Sequence, residues 1–182
     1  REALLEDDRF STRPDRVALL AREDLSARQH NLALEAKAIA QLAKRDEAAA
    51  KQTLKTLYSR DPGHRLSDQD ASPVVQGAFA RARERRTETV PVALSHEAPT
   101  LEQRRAPTVE VTITEGADAV DELRLAYRED PESSYVSIVM TREGDAARAR
   151  IPLASTDETY TLEYYVEARA PSGAHLARQG TA

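Results

Sequence analysis

Residues 108–114, Thr-Val-Glu-Val-Thr-Ile-Thr, put Val109, Val111 and Ile113 on every second position, with Glu110, Thr112 and Thr114 between them. A period of two sends the apolar side chains to one face of a strand and the polar ones to the other, the pattern of a half-buried antiparallel strand. The alternation recurs downstream. Leu123, Leu125 and Tyr127 alternate with Glu122, Arg124 and Ala126, and Tyr160, Leu162, Tyr164, Val166 and Ala168 with Thr161, Glu163, Tyr165 and Glu167. Further strands are predicted at 89–94, 135–141, 146–151 and 174–179. Turns are predicted at Glu115-Gly116, Asp130-Pro131, Glu143-Gly144-Asp145 and Pro171-Ser172-Gly173. About seven short strands at regular spacing predict a small antiparallel β-sandwich.

Upstream of residue 88 the period is helical. A first helix is predicted over 14–30, with Pro14 in its first turn, Ser11 or Thr12 as cap, and Val17, Leu20, Ala21 and Leu25 on one face. A second is predicted over 31–44 from the stripe Leu32, Ala36, Ile39, Ala40 and Ala43. Asp46 is a candidate N-cap for a third over 47–60, with Ala50, Leu54, Leu57 and Tyr58 on one side. Asp61-Pro62-Gly63 stops it. Ser72-Pro73 has the residue types of N-cap and first helical position for a last helix, with Val75, Phe79 and Ala82 inward. The expectation is an α+β protein of two domains, α-helical over 1–87 and a β-sandwich over 88–182.

Charge divides at the same place. Of 26 Lys and Arg and 31 Asp and Glu, residues 1–87 hold 17 and 14, a net of +3, which leaves –8 for residues 88–182. Cysteine is absent, which excludes disulfides, thiolate metal sites and Cys nucleophiles. No stretch approaches the roughly 18 to 20 apolar residues that span a bilayer. The opening at Arg1 is read as that of a trimmed or mature fragment, with any leader or lipid-bearing cysteine upstream.

Ala50, Leu54, Leu57 and Pro62 resemble the second helix of a tetratricopeptide (TPR) repeat. There a small residue admits the neighbouring helix, a large one fills the groove and a proline ends the unit. Lys37 and Gln41 depart from the large apolar residues that family places in its first helix. One repeat cannot bury its own face, so residues 1–30 are expected to add a second helical pair. In the second half His96, Pro99 and Pro107, then Leu125-Ala126-Tyr127-Arg128, Val139-Met140, Ile151-Pro152, Glu163 to Ala168 and Gly173 follow in order. This string is similar to the fibronectin type III-like or immunoglobulin-like module of many deltaproteobacterial envelope proteins. The segments Asp61 to Leu66, Ser72 to Val74 and Phe79 to Arg83 resemble the link that joins TPR repeats to that module. Ala168-Arg169-Ala170 replaces the family's acidic turn. The resemblance implies a periplasm-facing cell-envelope protein, such as an outer-membrane lipoprotein. Some of these belong to trans-envelope assemblies, including gliding-motility machinery, and no catalytic residues come with the family.

The residues with chemistry to offer point the same way. His30, His64, His96 and His175 show no metal-ligand spacing, and His96 is expected to be structural, its ring satisfying backbone groups. Ser95-His96-Glu97 has triad residue types, but neighbours on one extended segment diverge. Arg81, Arg83, Arg85 and Arg86, with Arg104 and Arg105, are read as a solvated helix end rather than a nucleic-acid surface, since the chain is acidic and no aromatics interleave. The acidic runs Asp118–Asp121 and Glu129–Glu132 lack the calcium-loop pattern and are read as turns. Tyr127, Tyr135, Tyr160 and Tyr164 are assigned mostly to packing, and Tyr165 to the exposed face. No catalytic, cofactor-binding or metal residue is assigned, and neither enzyme activity nor a cofactor is expected. The expected function is a scaffold or adaptor with other envelope proteins as partners, bound in a helical groove or at a sheet edge. Its membrane attachment would come only from an anchor outside this sequence. The alternative is a glycan- or cell-wall-binding accessory module, which a concave aromatic patch would mark. A hydrolase would need distant Ser, His and Asp to converge.

Overall fold

A computed structural model describes residues 25–68, 70–85, 88–99, 105–152 and 161–181. The chain divides into two compact units, Arg1–Val90 and Pro91–Ala182. The backbone N–H of Val90 donates to the Ser59 carbonyl at 2.8 Å, which ties residues after the last helix back to the helical unit.

In the helical unit, α1 spans Ala27–Ala43, α2 Glu47–Arg60 and α3 Pro73–Glu84. Helix α1 starts earlier than the sequence pattern predicts. Ser26 is its N-cap, and a capping box with Gln29 satisfies first-turn N–H groups that have no carbonyl one turn earlier, so a helix starts here. Residues 14–24 of the predicted first helix lie outside the described residues. The predicted stripe is also corrected. Ala33, Leu34, Glu35 and Ala36 are buried in succession, while Ala43 is exposed, so α1 is covered around most of its girth. Helix α2 begins at its Asp46 cap, whose side chain accepts from Ala49 N at 3.1 Å. Ser72 caps α3 with Pro73 in the first turn. Leu34, Ala38 and Ile39 of α1, Leu54, Leu57 and Tyr58 of α2, and Val75 and Phe79 of α3 form one core.

The second unit is two antiparallel four-stranded sheets. One has the order β1 (Ala93–His96), β2 (Thr108–Glu115), β6 (Ala146–Arg150), β5 (Thr141–Glu143); the other has β4 (Val136–Val139), β3 (Glu122–Arg128), β7 (Glu163–Arg169), β8 (His175–Thr181). Their inner faces share a single core of Val109, Val111, Ile113, Ala147 and Ala149 from the first sheet with Leu123, Leu125, Tyr127, Val166 and Ala168 from the second. Alternation along the strands therefore does what the sequence pattern requires.

Two strand limits differ from expectation. The predicted strand at 89–94 begins only at Ala93, because Val90 is bonded to α2 and Pro91 has no N–H to give a ladder. The predicted strand 135–141 is two strands. Val139 pairs with Arg124 in one sheet and Thr141 with Arg148 in the other, and the buried Met140 is the crossing point. Gly116, at φ +72°, has no room for a side chain, since a Cβ would run into the Pro91 carbonyl and the Val92 side chain. Tyr160 and its neighbours at 153–160 lie outside the described residues.

Candidate functional site

Helices α2 and α3 meet through Tyr58 and Phe79, whose rings pack edge to face at 6.5 Å. Beside that contact they leave a groove of about 590 Å3. Its floor includes Ala50 and Leu54 from α2 and Ala78 and Ala82 from α3, pairs one helical turn apart. One rim carries Lys51 and Lys55, the other Arg81 and Arg85, again one turn apart. Glu47 and Glu88 also line it, so cations exceed carboxylates by two. Val74, at the same groove, is 67% exposed. Helical spacing explains the alternation of apolar floor and charged rim: Ala50 and Lys51, or Ala82 and Arg81, are adjacent in sequence and about 100° apart around the helix.

A second constellation lies on the same unit. Asn31 and Glu35, one turn apart on α1, meet Asp61, His64 and Ser67 from the segment after α2. His64 Nε2 donates to Glu35 Oε2 at 2.7 Å, and Ser67 donates its backbone N–H and its hydroxyl to the same carboxylate. Asn31 Nδ2 donates to Asp61 Oδ2 at 3.2 Å, and that oxygen stands 3.9 Å from His64 Nδ1. Burial alone would raise the Glu35 carboxyl. The hydrogen bonds from His64 and Ser67 and the charge of His64 outweigh it and hold the group below its ordinary value. Distant Ser, His and acid side chains do converge here, but with the carboxylate as hub. Ser67 donates to Glu35 rather than to His64, so its hydroxyl is paired with the carboxylate and not with the imidazole. Its geometry fastens residues 61–67 to α1.

On the β unit His96 Nε2 lies 2.9 Å from the Tyr164 hydroxyl, and the rings pack edge to face at 5.6 Å. The expectation that His96 serves backbone groups is corrected: its partner is a phenol, and its Nδ1 is buried with no partner among the described residues. Burial raises the Tyr164 pKa, which keeps the hydroxyl protonated. Ser95 and Glu97 are exposed on either side of His96, so those three diverge as expected.

Tyr165 faces away from the core and is half-buried rather than open. Tyr135 packs against it at 5.0 Å between ring centres, and the Arg178 guanidinium lies 3.5 Å above its ring. Arg128 sits over Tyr135 in the same way and pairs with Glu163 at 2.5 Å. These tyrosines form a ladder whose faces are taken by arginines.

His30 is half-buried on α1 and His175 is exposed at the start of β8. Among the described residues no group of three or more His, Cys, Asp or Glu can hold a metal ion. Asp118 lies in a 3-10 turn, and Asp130 organises the Glu129–Glu132 turn by accepting from the Glu132 and Ser133 N–H groups. Arg83 is exposed near the α3 end, whereas Arg81 and Arg85 belong to the groove, a role that reading the cluster as one helix end misses. Arg86 and Arg104 lie outside the described residues. The groove's signal in the sequence was the matched i, i+4 pairs on two helices. The Glu35 cluster's was an Asn and a Glu one turn apart inside an apolar helix.

No protein-family model matches the chain, and no curated protein matches it either.

Proposed function

We propose that the chain is a non-catalytic interaction protein of the bacterial cell envelope, in which a TPR-like helical unit holds partner segments and an immunoglobulin-like sandwich accompanies it. The observation that carries this reading is the α2–α3 groove, with an apolar floor, cationic rims and a volume of about 590 Å3. The TPR-like reading rests on α2. Ala50, Leu54 and Leu57 are all buried against neighbouring helices, and the helix ends just before Pro62. Gln41, which departs from the repeat pattern, accepts from the Thr53 hydroxyl at 2.8 Å, so a hydrogen bond across the α1–α2 pair replaces an apolar contact. The immunoglobulin-like reading rests on strand order. Taken as A to G, the strands give A-B-E-D in one sheet and C-F-G with an added edge strand in the other. Tyr164 stands near the start of the F-equivalent strand, but its hydroxyl meets His96 instead of backbone.

An envelope location rests on the sequence resemblance. Among the described residues no helix is long and apolar enough to cross a membrane. The glycan-binding alternative is weakened by Arg178 and Arg128, which cover the ring faces a sugar would stack on.

The test is capture of proteins from a membrane-and-periplasm extract of the source cell with the full chain as bait. Leu54 and Leu57 are 2% and 0% exposed, so substitutions there would unfold the unit. The informative variant is Val74→Asp at the exposed edge of the groove. A defined set of envelope proteins, depleted by Val74→Asp, supports the reading. Retention on purified peptidoglycan, with no protein captured, overturns it.

A further inference from the structure

From the chemistry of the groove we infer its occupant: an amphipathic helix of a partner protein that carries an apolar ridge flanked on both sides by carboxylates. The inference rests on the interaction-protein reading and names the partner's chemistry. Three observations lead to it. The floor is rich in alanine, with Ala48, Ala50, Ala78 and Ala82, so a guest backbone can approach closely, as packed helices do at 8–10 Å between axes. The apolar residues recur one turn apart on both host helices, which matches the i, i+4 rows of a third helix lying between them. The two rims each carry a pair of cations, Lys51 with Lys55 and Arg81 with Arg85.

Among the described residues none of these four cations has a carboxylate within ion-pair distance. Glu47 and Glu88 share the lining, so an excess of two positive charges is available to a guest. A helix with Glu or Asp on both flanks of its apolar ridge supplies the complement, and a helix with lysines there meets like charge on both rims. An extended strand fits less well, since neither host helix has a free backbone edge to pair with it.

The probe is a pair of helix-stabilised synthetic peptides with the same leucine and alanine ridge, one flanked by glutamates and one by lysines. Binding to the full chain is measured by fluorescence anisotropy, and contact by amide shifts in nuclear magnetic resonance spectra. The glutamate peptide is expected to bind and to shift Ala50, Leu54, Ala78 and Ala82, and the lysine peptide to bind far more weakly. Reversing one cation on each rim, in Lys51→Glu/Arg81→Glu, is expected to weaken the glutamate peptide about tenfold while the circular dichroism spectrum is unchanged. Lys55→Glu/Arg85→Glu provides an independent repeat.

Equal binding of both peptides, shifts confined to residues after 90, or no binding at all overturns the inference. So does a groove already filled, whether by a second copy of the chain, seen as a dimer the peptide does not dissociate, or by the chain's own residues 1–24, seen as contacts from them to Ala78. If envelope proteins are still captured undiminished by Lys51→Glu/Arg81→Glu, the interaction-protein reading stands and this inference falls.

Discussion

Glu35 sits in a helix whose inward side chains are apolar apart from Asn31, and it survives there because each carboxylate oxygen has a donor. An ionised acceptor of this kind stabilises the fold, and its removal leaves buried donors unsatisfied. Glu35→Gln is expected to lower the free energy of unfolding by about 2 kcal/mol, measured by urea denaturation. The pH dependence has a definite sign. The folded-state pKa lies below the ordinary one, so the unfolded chain takes up the proton first. The stabilisation is complete above the ordinary glutamate pKa, about 4.3, and is lost as pH falls through the lower folded value. Urea midpoints between pH 6 and pH 3 should fall more steeply for the native chain than for Glu35→Gln; parallel curves would contradict this account. The sequence marks Asn31 and Glu35 as polar residues one turn apart in an apolar helix but does not give their partners. Glu35 and Ser67 come together only because α1 and α2 turn back on each other, and a helical period says nothing about which loop returns to which turn.

Elements were legible where their ends carry chemistry of their own. Asp46 and Ser72-Pro73 mark starts that the structure places as read. Ser26 and Gln29 mark a start in the same way but stand inside a run of helix-forming residues, and the period overrode the cap. Asp46→Ala is expected to cost about 1 kcal/mol and to leave the α2 core intact, checked by thermal unfolding with helical ellipticity preserved in the folded state. The strand pattern gave faces correctly and sheet membership not at all. Residues 135–141 read as one strand because alternation along a chain carries no information about the partner on either side, and Met140 divides them. The groove falls between these cases. Its residues were visible as i, i+4 pairs, but only the pairing of α2 with α3 turns two separate faces into one site.

For the whole molecule, the charge split follows the two compact units. Residues 1–90 carry a net charge of +2 and residues 91–182 a net charge of –7. The core of the β unit draws on residues after 91 alone, so it needs nothing from the helices. Residues 91–182 expressed separately are expected to unfold in one cooperative transition with native-like amide dispersion. A gradual, non-cooperative melt would show that the division at residue 90 is not a folding boundary. The crossing at Met140 has one more effect. It ends both sheets on the same flank with very short strands, four residues in β4 and three in β5, whereas β8 at the opposite end of its sheet has seven. Growth of a fibre strand upon strand requires every copy to donate one good edge and accept on another. Among the described residues that sheet has a long edge at one end and a stub at the other, so edge-to-edge growth through it would stop at a pair for want of a second long edge.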